Sequence, residues 1–106
     1  MTGKPVVALA DVSEDVQLAY DYFAARLRGG GDRFLERYFA ATDRITLNPW
    51  SFAVKFDDYH RALIPKSDFA IYYFQEPDRS VIVAVINARR DPKLIRNFVR
   101  ARRKDG

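Results

Sequence analysis

The side chains with the strongest claim to chemistry stand side by side at Tyr59, His60 and Arg61. His60 is the only histidine in the chain. An imidazole is the one side chain whose ordinary pKa lets it exchange a proton near neutral pH. With Arg89 or Arg90 brought beside it, the cluster could act on a ribose-phosphate backbone. The histidine would move protons and the arginine would stabilise a pentavalent phosphate. The plainer alternative is a partly exposed strand histidine with no catalytic role. Little else in the chain resembles catalytic equipment. There is no cysteine, which removes thiol nucleophiles, disulfides and thiolate metal sites together. With one histidine a multi-histidine zinc site is not expected either, and no cofactor or metal is. Ser13, Ser51, Ser67 and Ser80 lack a nucleophile-elbow context. Gly29, Gly30 and Gly31 are not followed by the Lys-Ser/Thr of a phosphate loop. The acid pairs Glu14/Asp15 and Asp57/Asp58 read as cap and turn residues.

The second chemical feature is charge. The net formal charge is +4 over 106 residues, and residues 87–106 hold eight of the 18 basic side chains but only two of the 14 acidic ones. That basic C-terminal element therefore carries +6, and residues 1–86 carry −2. On a helical wheel Lys93, Arg96, Arg100, Arg103 and Lys104 share one arc. Leu94, Ile95, Phe98, Val99 and Ala101 lie opposite, with Arg102 alone intruding on the apolar side. Such a helix is either a solvated charged face or a surface for phosphate or an acidic partner. A basic membrane-surface helix ranks last, since the segment is short and lacks tryptophan.

These groups need a scaffold, and the pattern supplies one. Val6 to Leu9 reads as a short strand led by Pro5. Asp11 or Ser13 can cap a helix carrying the stripe Val16, Ala19, Tyr20, Phe23 and Leu27. The glycine triplet stops it, and Asp32 can cap a second helix with the stripe Phe34, Tyr38, Ala41 and Ile45. Asn48 before Pro49 ends that helix, because the proline ring disfavours α conformation in the preceding residue. From Trp50 the period falls to two: Phe52, Val54 and Phe56 alternate with polar or small residues. Extended runs follow at Tyr59–Ile64, Phe69–Gln75 and Val81–Ile86, the last two joined by a Glu76-Pro77-Asp78-Arg79 turn. Asp91-Pro92 starts a final helix. The order predicts one α+β domain over 1–106: an N-terminal strand, a helical hairpin, a three- to four-stranded mainly antiparallel sheet, and a C-terminal basic helix.

The longest apolar runs, Phe69–Phe74 and Val81–Ile86, are six residues each, far short of the roughly 20 of a membrane span. The start of the chain lacks a signal-like apolar stretch, so a cytoplasmic protein is the expectation. Neither run alternates, so both faces of the strands must be covered. One helical hairpin covers one face. The other is covered by the terminal helix, by a homodimer, or by a partner segment lying on the sheet or its edge.

Taken in order, FLERYFAATDRITLNP (34–49), Arg61-Ala62-Leu63, FAIYYF (69–74) and VAVINARRDP (83–92) resemble the RelE/ParE superfamily of type II toxins, on the ParE side. The resemblance spans most of the chain. It implies a toxin held inactive by a cognate, ParD-like antitoxin in a hetero-oligomer, with Phe69, Ile71, Tyr73, Tyr20 and Phe23 as the antitoxin-binding set. ParE-type toxins inhibit DNA gyrase and RelE-type toxins cut mRNA on the ribosome. The first implies binding through Arg89, Arg90, Lys93, Arg96 and Arg100, with no catalysis. The second implies His60 as proton carrier with Arg61 and Arg90 on the phosphate. A non-toxic nucleic-acid-binding module is the third reading. The sequence departs from both branches: Asn87 stands where ParE relatives often carry histidine, and Ser67-Asp68 where Phe-Pro is common. Ala62 and Ala70 fall where RelE-type nucleases want basic groups, and the terminal helix has no tyrosine.

Overall fold

The computed structural model describes residues 3–105. Strand β1 (Val6–Ala8) leads into helices α1 (Val12–Arg26) and α2 (Gly30–Leu47), and a short 3-10 turn at Pro49–Ser51 follows. Strands β2 (Val54–Phe56), β3 (Tyr59–Leu63), β4 (Phe69–Glu76) and β5 (Arg79–Asn87) precede helix α3 (Pro92–Asp105). The sheet has five strands in the order β1-β5-β4-β3-β2. Strand β1 is parallel to β5, and the other pairs are antiparallel. This is the α+β arrangement that the pattern predicts.

The helical hairpin forms for a more specific reason than a loose glycine linker. Only Gly29 makes the reversal, at φ 73°, a left-handed conformation that a side chain disfavours. Gly30 and Gly31 are the first residues of α2 and are buried. A Cβ on Gly30 would stand 2.5 Å from the Phe23 carbonyl oxygen, and one on Gly31 would stand 2.7 Å from the Tyr20 ring. These glycines therefore let α2 approach α1. Asp32 lies within the first turn of α2 instead of capping it, and accepts a hydrogen bond from the Tyr20 hydroxyl at 3.1 Å. Neither Asp11 nor Ser13 caps α1 as expected. Asp11 occupies the N-cap position without a side-chain bond, and Ser13 Oγ donates backwards to Ala10 O. Leu27 falls outside the helix and is exposed, so the buried line on α1 is Val12, Asp15 and Ala19. On α2, Phe34, Tyr38, Ala41 and Ile45 are all buried, as their spacing predicts. Strand β2 is shorter than its alternation suggests, because Pro49 and the Asn48 side chain, which accepts from Trp50 N, hold residues 49–51 in a turn.

Two apolar layers sandwich the sheet. The hairpin packs on Ala62, Ile64, Ile71, Tyr73, Ile82 and Val85. Helix α3 lays Ile95 and Val99 on Tyr59, Ala70, Tyr72, Phe74, Val81 and Val83 of the opposite face. The second face is thus covered by the chain itself, and of the three covers the sequence allows, the terminal helix is the one found. No helix of the described residues is long and apolar enough to cross a membrane.

Candidate functional site

Helix α3 begins as the sequence predicts: Asp91 Oδ1 accepts from Lys93 N at 2.8 Å, and Pro92 takes the first helical position, where a missing N–H costs nothing. Two of the five cations on its basic face, however, are engaged within the molecule. Arg100 forks onto both oxygens of Asp57 at 2.8 and 2.9 Å. Arg103 donates to Asp58 at 2.8 Å and lies over the Phe74 ring at 3.6 Å. Arg102, the intruder on the apolar face, is bonded to Asp15 and to the Val83 carbonyl at 3.2 Å. Asp57 and Asp58 do form the β2–β3 turn, but they also anchor α3. Asp15 is a buried partner and not merely a first-turn acid. Arg89 stands 3.6 Å from Asp68 with both side chains exposed, a contact of little energetic weight. Of the five cations read from sequence as target-binding, Arg100 is therefore committed to Asp57. Arg90, Lys93 and Arg96 have no ion-pair partner among the described residues.

Unpaired basic groups converge elsewhere. Strand alternation sends Arg61 to the α3 face, directly across from Tyr72 in the β3–β4 register. There Lys55, Arg61, Tyr72 and Arg96 line one open groove of about 240 Å³, with Phe56 and Pro92 among its other walls. Burial raises the Tyr72 phenol pKa, and the neighbouring Arg61 guanidinium opposes that shift. Three cations around a phenol make a groove fitted to a phosphate or a carboxylate. Tyr72 and Lys55 are absent from the sequence-derived candidates, because the strand register that brings them beside Arg61 is not written in local spacing.

The proposed catalytic trio does not assemble. His60 is 2% exposed, on the hairpin face. Its Nδ1 lies 2.8 Å from the Phe52 carbonyl, so it carries the proton and donates, and its Nε2 accepts from Gln75 Nε2 at 3.1 Å. The ring stacks on Tyr73 at 4.7 Å. Adjacent strand residues point to opposite faces, which places Arg61 across the sheet from His60. Arg90 sits at a third place, between α1 and α3. His60 is a structural core residue.

The set expected to bind a partner is also mostly interior. Ile71 and Tyr73 are fully buried, and Tyr73 donates to the Pro49 carbonyl at 2.6 Å. Phe69 and Phe23 are half-buried around Phe34, with ring centroids 5.3 to 5.8 Å apart. Tyr20 is half-buried and bonded to Asp32. The hairpin closes the sheet face that carries Ile71 and Tyr73, which leaves only Tyr20, Phe23 and Phe69 of this set partly accessible. Exposed apolar side chains are scattered over the hairpin and its flanks, at Tyr22, Phe39, Leu47 and Trp50 among others. They also line a groove between α1 and α3, where Leu18 (63%), Leu94 (62%) and Phe98 (41%) border a cavity of about 510 Å³. Among the described residues no three metal-ligating side chains come together.

No family model matches the chain, and no curated protein sequence matches it. Structure is more informative. The architecture is that of a ParE-like fold. In particular, the chain superposes on a chain of the chromosomal ParDE TA system from P. aeruginosa with a TM-score of 0.68, at 9% identity, over 79% of this chain and 95% of that one.

Proposed function

We propose that this protein is the toxin component of a type II toxin–antitoxin pair, acting by binding and neutralised by a cognate, ParD-like antitoxin. The observation that carries the reading is the likeness in fold to the ParDE system over nearly the whole of that neighbour. On this reading the target is DNA gyrase or its DNA. The contact is made by Arg89, Arg90, Lys93 and Arg96, the cations around the start of α3 that are free or only weakly paired. The antitoxin covers exposed parts of the hairpin and sheet edge, with Tyr20, Phe23 and Phe69 contributing only their exposed portions. Expression without a partner arrests growth, and the purified protein blocks gyrase supercoiling. Normal supercoiling at saturating protein would sink the gyrase assignment.

A second reading is supported by the groove of Lys55, Arg61, Tyr72 and Arg96. Cations around a phenol suit a phosphodiester, so a ribosome-dependent mRNA endonuclease would work there and not at His60. Toeprinting on translating ribosomes separates the two readings: cleavage lost in Tyr72→Phe and Arg61→Ala favours the nuclease. No cleavage by the wild type removes it.

A further inference from the structure

The groove between α1 and α3 has an unusual symmetry of charge. Asp15 in the first turn of α1 bonds Arg102 in the last turns of α3, which brings the start of α1 to the C-terminal end of α3. Glu14, beside Asp15, therefore marks one end of the groove, and Arg90, just before α3, marks the other. Both side chains are exposed, and neither has an ion-pair partner among the described residues. Between them lie Leu18, Leu94 and Phe98, each more than two-fifths exposed. From Leu94 to Arg102 the floor is eight residues of helix, about 12 Å long.

A surface with opposite charges at its two ends and an apolar middle is complementary to itself. A two-fold axis through the middle exchanges the ends. It sets Glu14 of each copy against Arg90 of the other and packs Leu18, Leu94 and Phe98 on their counterparts. We infer that this groove is the interface of a reversible homodimer. An acidic helix from another protein would satisfy Arg90 but would set its own carboxylates against Glu14. A stable interface takes roughly 800 Å² from each partner, and only three large apolar side chains are exposed along this groove, so the dimer is weak and concentration-dependent. Its formation covers Arg90, so the dimer and any complex made through Arg90 exclude each other.

Light scattering on the eluted full-length protein tests this directly. The wild-type mass climbs from 12.3 kDa toward twice that value as concentration rises from low to high micromolar, and high salt lowers it. Glu14→Arg and Arg90→Glu, each alone, place like charges at both ends of the interface and remain monomeric. Mixed in equal amounts they restore the dimer, because each supplies the other's missing partner. Phe98→Glu abolishes assembly of every combination, while circular dichroism checks that each variant folds. A wild type that stays monomeric at high micromolar concentration overturns the inference. So do single variants that dimerise like wild type, or a mixture that stays monomeric.

Discussion

Arg102 reaches from the last turns of α3 to Asp15 in the first turn of α1, with Nη2 3.1 Å from Oδ1 and Nη1 donating to Oδ2. The same Oδ2 accepts the Val85 N–H at 3.0 Å, and Nη1 also reaches the Val83 carbonyl. Strand β1 pairs with β5 only over Ser80–Ile82, so beyond Ile82 the edge of β5 has no neighbouring strand. The β5 ladder with β4 slips its register at this point, between Tyr72 and Tyr73. The carboxylate and guanidinium bond the backbone groups that a longer β1 would have bonded. Removing one partner of a buried pair leaves the other uncompensated, at a cost of about 3–5 kcal/mol. Arg102→Met is expected at the lower end of that range, read as a lower urea midpoint. Asp15→Asn keeps the bond to Val85 but strands the Arg102 guanidinium opposite an amide N–H, so it falls in the same range of about 3–5 kcal/mol. An Arg102→Met midpoint equal to wild type would refute this assignment.

The glycines differ in what a methyl group would strike. On Gly30 it meets the Phe23 carbonyl, which is backbone and cannot move without unwinding α1. On Gly31 it meets the Tyr20 ring, which can swing away if it gives up Asp32. Both Gly→Ala variants are therefore destabilised, by about 1–3 kcal/mol for ordinary overpacking, and Gly30→Ala more than Gly31→Ala. Thermal melts of the two give the order, and a reversed order contradicts the packing described.

The burial and hydrogen bonds of His60 predict a structural role, and His60→Ala separates that from catalysis. It loses the hydrogen bonds to Phe52 and Gln75 and the stack on Tyr73, at about 2 kcal/mol or more. Any biological activity should fall only as the folded fraction falls. Arg61→Ala, on the α3 face, should behave oppositely under the nuclease reading: a melting temperature near wild type with cleavage gone. A folded His60→Ala protein without activity would return His60 to the site.

Acid should loosen α3 at its outer contact. The Arg100 hydrogen bond and charge hold the Asp57 carboxyl below its ordinary value of 3.8. The folded state thus favours the carboxylate. The contribution is full above the ordinary carboxylate value and is lost as the pH falls through the lowered folded value. NMR titration of the Asp57 carboxyl should show a midpoint below that of an exposed aspartate, and Arg100→Gln should restore it. A midpoint unmoved by that substitution contradicts the pairing.

At the alkaline end the sign is different. Burial pushes the Tyr73 phenol from 10.0 up to about 12. The folded state favours the neutral phenol, so its contribution is full below the unfolded value and fades as the pH climbs from 10.0 toward about 12. In a tyrosinate absorbance titration Tyr73 ionises late, and Tyr73→Phe removes that late step. An unchanged titration in the variant would contradict the burial.

Much of this architecture is legible in the sequence, and the rest is not for identifiable reasons. The α2 stripe follows from helical periodicity, and β4 and β5 follow from unbroken apolar runs bounded by turn residues. The fate of Arg102 is not legible: its partner Asp15 lies 87 residues away, and no local pattern reports such a pair. His60 and Arg61 look like one cluster because they are neighbours in sequence, yet strand geometry separates them by the thickness of the sheet. The surplus of cations at the end of the chain reads as one binding surface, yet three of its eight members, Arg102, Arg100 and Arg103, are taken up by Asp15, Asp57 and Asp58 from the acidic body.

The Asp15–Arg102 bond also bears on time. Closing a loop of 87 residues costs about 4 kcal/mol of chain entropy by the (3/2)RT ln n scaling. A contact bought so dearly forms late, after the hairpin and the β4–β5 pair have assembled from nearer neighbours. Interactions absent from the folding transition state act on the unfolding rate. The ion pair beneath α3 is therefore expected to slow unfolding more than it speeds folding.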